Sequence, residues 1–178
     1  MTDSRPAMTR AQFAEAAAYA DSDAWWLTGE EHFLHVPAVM NVEGWNLYGH
    51  PGNARLTEPQ RVLMMWSDLV GQTSNGGFSQ FVENFEKSLP LAYRLIARLE
   101  WPELFERFDR AFREQAGDPR NPRLVSDGWD WNSGAEPPAE AAEAFDDWFY
   151  RDETKAASRI FVGDFIRRHR DDLCRLTD

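Results

Sequence analysis

The sequence holds a single cysteine, Cys174, so no intrachain disulfide can form and the fold must rest on its core. Such usage fits a reducing compartment. Basic residues are also few: 19 Lys and Arg stand against 30 Asp and Glu, a formal net charge of -11. Direct nucleic-acid binding is disfavoured, because phosphates must be neutralised by cations. A basic protein surface would be attracted instead, and acidity also serves solubility. No apolar run approaches the ~18 residues of a membrane span. The start, MTDSRPAMTR, lacks the apolar stretch of a secretory leader. Together these absences point to the cytoplasm, with no membrane contact.

What the sequence does have is aromatic: 8 Trp and 12 Phe in 178 residues. Each large ring removes a wide area from water, so the chain can build a real core and is not disordered throughout. The length favours one domain.

Helical spacing dominates. Thr9 can cap a helix over 10–20, with Phe13 and Ala17 inward. Thr57 and Gln60 have capping-box spacing. Val62, Trp66, Leu69 and Val70 follow in helical register, and Leu63, Met64 and Met65 widen the apolar face, as in a central helix. Glycine ends helices, so this one is expected to stop near Asn75 or Gly76. Another then starts near Gly77 with Phe78, Phe81 and Phe85 on one face. Pro90 opens a helix aligning Leu91, Leu95 and Leu99. Pro102 opens one aligning Leu104, Phe105, Phe108 and Phe112, and Gly117 ends it. Residues 118–138 read as a long irregular connection with a weak strand signal at 123–125. Helices follow near 139–150 and 153–169, then a short tail from Asp171. The expected fold class is mainly α: a single compact domain of about seven or eight helices in an irregular angled bundle, with at most one short β-hairpin.

The stretch SNGGFSQFVEN, residues 74–84, sits between two apolar segments. Its amides donate and accept hydrogen bonds but neither titrate nor attack near neutral pH. Acid–base catalysis calls on groups such as His, Asp, Glu or Lys, and here only Glu83 qualifies. Gln80 and Asn84 lie four apart and share a face distinct from the phenylalanines. Two readings fit: amides that tie backbone groups where one helix ends and another begins, or a glycine loop that cradles an anion. The second lacks the Lys and Ser/Thr of a P-loop.

With Leu56-Thr57-Glu58 ahead of it, this stretch resembles the family defined by the C-terminal-like domain of the neisserial DNA-mimic protein. The matching positions are Asn75, Gly76, Gly77, Phe78, Gln80, Phe81 and Asn84. The tail FIRRHRDDL, residues 165–173, is similar to the family's closing helix. The resemblance runs over 56–173 and implies an all-helical domain. It divides the chain into an N-terminal helical extension (1–55) packed on the core and a DNA-mimic-like domain (56–178), one structural unit overall. It also implies a non-enzymatic, cofactor-free acidic protein that imitates duplex DNA. Such a protein would engage the basic surface of a helix-turn-helix regulator, as a monomer or homodimer. The Asn-Gly-Gly-Phe motif marks that family and is not a known binding site within it.

Function would then lie in the acids. Between Asp127 and Glu153 nine acids face one base, Arg151. The partner-binding candidates are Asp127, Asp130, Glu136, Glu140, Glu143, Asp146 and Asp147. Glu140, Glu143 and Asp147 fall opposite the apolar face of Ala142, Phe145, Trp148 and Phe149. Six further acids and no base lie between Ala11 and Ala54. One acid every three or four residues is one charge per ~5 Å of helix, against one per ~1.7 Å of duplex axis. A mimic therefore needs several acidic segments, or a dimer. Glu103–Arg107, Glu106–Arg110 and Asp109–Arg113 are i,i+4 pairs that leave their helix near neutral. Arg167, Arg168 and Arg170 suit a helix C-terminus.

Alternatives are small-ligand or metal binding and an apolar contact surface. His32 and His35 could share a metal, but no third ligand stands at supporting spacing, and ordinary imidazoles fit equally. Trp129 and Trp131, flanking Asp130, could hold a flat or cationic ligand or anchor their loop to the core. Ser133 has no visible His–Asp partners. Trp25 and Trp26, if exposed together, would suit apolar contact with an immunity-type partner.

Overall fold

The computed structural model describes residues 5–17, 56–85, 88–122 and 139–178. Among these, β1 (Ala7–Met8) leads into α1 (Arg10–Ala17). There follow α2 (Glu58–Asn84), α3 (Leu89–Ala97), α4 (Pro102–Ala116), α5 (Glu140–Phe149), α6 (Asp152–Arg168), α7 (Arg170–Leu173) and β2 (Arg175–Leu176). The fold is mainly α, as expected.

α2 is the central element and packs on α3, α4, α5 and α7. Its capping box forms: Thr57 Oγ1 accepts from the Gln60 N–H, and Gln60 Oε1 accepts from the Thr57 N–H. Leu63, Met65, Trp66, Leu69 and Val70 are fully enclosed, which accounts for an apolar girth with little polar relief. Beyond Gly77, Phe78, Phe81 and Phe85 are buried as their spacing requires. Phe78 meets Phe145 at 4.8 Å and Phe108 at 5.4 Å. Trp101 sits between Trp66 and Trp148 and stacks on Phe161. The core is thus a run of ring contacts linking α2, α4, α5 and α6, each adding about 0.5–1.5 kcal/mol beyond the area it buries. Pro90 and Pro102 open α3 and α4, and Gly117 closes α4 at φ 79°.

The expectation of at most one short hairpin holds, and one expectation about the tail needs correction. No hairpin forms among the described residues; β1 and β2 pair in parallel, Ala7 with Arg175 and Met8 with Leu176. A hairpin is antiparallel and local, whereas a parallel pair joins distant segments. The expected short tail from Asp171 is α7 followed by β2. Arg5 donates to the Asp171 carbonyl at 2.7 Å, and the Arg10 N–H donates to Asp178 Oδ1 at 2.7 Å. Thr57 Oγ1 donates to the Asp172 carbonyl at 2.9 Å, so the start of α2 is also fastened to the tail. Of the extension expected over 1–55, residues 5–17 lie against α6 and β2. The strand signal at 123–125 and the last turn of the helix expected over 10–20 lie outside the described residues.

Candidate functional site

α2 is two helical segments joined across a kink at Gly76 (φ -160°, ψ 21°) and Gly77 (φ 80°, ψ -179°). Gly77 has a backbone that side chains rarely adopt. A Cβ there would also lie 2.5 Å from Asp146 Oδ2. At Gly76 the demand is space: a Cβ would lie 2.0 Å from Gln80 Oε1.

A kink frees backbone groups that must find partners, and α5 supplies two of them. The Phe78 N–H, at the start of the second segment, donates to Asp146 Oδ1 at 2.8 Å. Tyr150 Oη donates to the Thr73 carbonyl at 2.8 Å. The motif amides do something other than tie backbone. Gln80 Nε2 and Asn84 Nδ2 both donate to Gln72 Oε1, at 2.8 and 2.6 Å, clasping one segment to the other through side chains. Asn75 is exposed. The anion-cradle reading has no support here: the nearest charge to Gly77 is a carboxylate.

Burial pushes the Asp146 carboxyl up to about 6, and Asp147 and Glu143 push the same way, while the Phe78 N–H pulls it down. Burial also raises the Tyr150 phenol, with Asp146 adding to it. Sequence reasoning listed Asp146 among the partner-binding candidates, without placing it on the outward face, and did not single out Tyr150. The available signal was that both lie one turn apart, at the margin between the apolar and acidic faces of α5.

The remaining α5 acids do face solvent. Glu114 of α4 caps the helix, accepting from the Ala141 and Ala142 N–H groups at 2.7 and 3.0 Å. That capping leaves Glu140, Glu143 and Asp147 exposed, and none has an ion-pair partner among the described residues. Elsewhere about half of the described carboxylates are answered by a cation, among them Glu103 by Arg107, Asp109 by Arg113, Asp164 by Arg167 and Glu100 by Arg168. The expected Glu106–Arg110 pair does not form. Both side chains instead line a crevice of about 350 Å³ against Ala141 and Ala144.

A second crevice, of about 430 Å³, lies where the start of α2 meets the ends of α3 and α6. Its polar groups are largely partnered: Arg98 with Glu58 at 2.9 Å, the His169 ring with Asp172 at 3.7 Å, and Glu100 with Arg168.

Asp127, Asp130, Glu136, Trp129 and Trp131 lie outside the described residues, as do His32, His35, Trp25 and Trp26. Among the described residues no cluster of three or more His, Cys, Asp or Glu could hold a metal. No described helix is long and apolar enough to cross a membrane.

A mainly helical protein built on a glycine-kinked central helix, with an acidic helix seated on the kink, is the class these features define. The family model described as DMP19-like protein matches residues 54–169, from the start of α2 to the end of α6. The chain belongs to that family. No curated protein and no solved structure matches it.

Proposed function

We propose that this is a non-enzymatic acidic binding protein whose α5 face docks on the basic surface of a protein partner, in the manner of a DNA mimic. The observation that supports this most is the set of carboxylates Glu140, Glu143 and Asp147 gathered on one exposed helix face without an ion-pair partner among the described residues, where about half of the other described carboxylates have a cation beside them. Charges left without partners in the free protein are available to an incoming cation without first breaking an internal pair.

Three charges over two turns of helix are sparser than a DNA strand. The field must be completed from elsewhere. The described residues hold twenty acids against sixteen bases, so most of the net charge of -11 belongs to the remaining segments. Residues 123–138, which carry Asp127, Asp130 and Glu136, lead directly into α5. Residues 18–55 carry five acids against Arg55. A homodimer would double whatever face results. The partner chemistry that fits is a DNA-binding surface such as that of a helix-turn-helix regulator.

The test begins with recovery of partners from the native cell. Support requires a DNA-binding protein whose complex weakens steeply with salt and is displaced by its operator duplex. Salt-insensitive partners, or complexes that DNA does not displace, would sink the reading. The triple variant Glu140→Gln, Glu143→Gln, Asp147→Asn should weaken such a complex by roughly tenfold or more, at up to about 1 kcal/mol per exposed pair.

A further inference from the structure

Asp146 occupies an edge of α5 that neither the apolar face nor the outer acids account for. At about 100° per residue, Glu143, Asp147 and Glu140 follow it around the helix into solvent. Glu103, Glu106, Arg107 and Arg110 of α4 meet the opposite edge, beside Ala141 and Ala144, and Glu114 of α4 caps its start. From α2 the Asp146 carboxylate meets the Phe78 N–H and the Gly77 backbone. From its own helix it meets the charges of Asp147 and Glu143, with the Tyr150 phenol beside it. Among the described residues no charged side chain of α2, α4 or α6 forms an ion pair with it.

We propose that Asp146 couples what docks on the outer face of α5 to the glycine kink in α2, so that a cationic segment held by Glu143 and Asp147 tightens the kink. This rests on reading that face as the docking surface. A cation bound there removes the repulsion that Glu143 and Asp147 exert on Asp146 and favours its ionised form. The ionised carboxylate is the stronger acceptor for the Phe78 N–H. The free protein holds the Asp146 carboxyl at about 6, so docking near that pH expels a proton to solvent. By linkage, docking then strengthens as pH rises through that value.

Oligolysine serves as the probe. The Asp146 carboxyl is titrated by carbon NMR with and without it, and exchange of the Phe78 amide is followed in parallel. The expected result is a lower Asp146 midpoint and slower Phe78 exchange in the bound state. Affinity should rise by up to about tenfold across the titration for each pH unit by which the midpoint falls. Asp146→Asn keeps an oxygen for Phe78 and should still bind oligolysine. Its proton release, measured by calorimetry in buffers of different ionisation enthalpy, should fall. An unmoved Asp146 titration in the complex, or undiminished proton release from the variant, overturns the coupling and leaves the docking face standing. Oligolysine that does not bind at all overturns both.

Discussion

Two glycines of α2 make opposite demands. Gly77 combines φ 80° with a Cβ position 2.5 Å from Asp146 Oδ2. Gly77→Ala should cost about 1–3 kcal/mol from backbone strain alone, read as a lowered urea midpoint. Gly71 lies in the same helix with nothing within 4 Å of a Cβ. There Gly71→Ala should stabilise by up to about 1 kcal/mol. Asp146 makes a second prediction. Its folded carboxyl sits at about 6, above the ordinary 3.8, so the folded state binds the proton more tightly. Its contribution to stability is therefore greatest below about pH 4 and declines as pH rises through about 6. Discounted for solvent screening, the swing is about 1–2 kcal/mol. Subtracting the pH–stability profile of Asp146→Asn from that of the natural protein should expose it. Asp146→Ala differs, since it leaves the Phe78 N–H without its acceptor, and should destabilise by about 1–3 kcal/mol.

Among elements, α2 holds together because its start, kink and end are each fastened by polar groups while its girth supplies the apolar contact. Thr57 fastens the start twice, as N-cap and as donor to the Asp172 carbonyl. Thr57→Ala should therefore cost about 1–2 kcal/mol, with amide exchange accelerating in α7 as well as in the first turn of α2. A cap acting only within its own helix would leave α7 unchanged. α5 shows how one helix serves two purposes. Ala142, Phe145, Trp148 and Phe149 seat it in the core, Asp146 and Tyr150 at the margin satisfy the kink, and Glu140, Glu143 and Asp147 remain for a partner. Helical spacing separated the first group from the third. It could not separate Asp146 from its neighbours, because its acceptor role depends on Phe78, 68 positions away.

Across the whole molecule, the chain ends are joined. Removing residues 175–178 would strip β2 from β1 and take away the Asp178 carboxylate that holds the Arg10 N–H. Amide protection should fall in β1 and α1 and persist in the second segment of α2 and in α5, whose contacts do not involve those residues. Much of this protein was legible from sequence because helices are local. Capping at Thr57, breaks at Gly76, Gly77 and Gly117, starts at Pro90 and Pro102, and the buried faces of α2 to α5 all follow from residues within a few positions of each other. The kinship was legible too, carried by Asn75 to Asn84. The tertiary structure decided the rest. It made the motif amides clasp Gln72, set Asp146 and Tyr150 on the kink, split the expected arginine–acid pairs into those that form and one that does not, and joined the two ends in parallel. The physical reason is distance along the chain. Periodicity and capping report interactions closed within a turn or two, whereas a freed N–H or an unanswered carboxylate is assigned its partner only when segments far apart in sequence pack together.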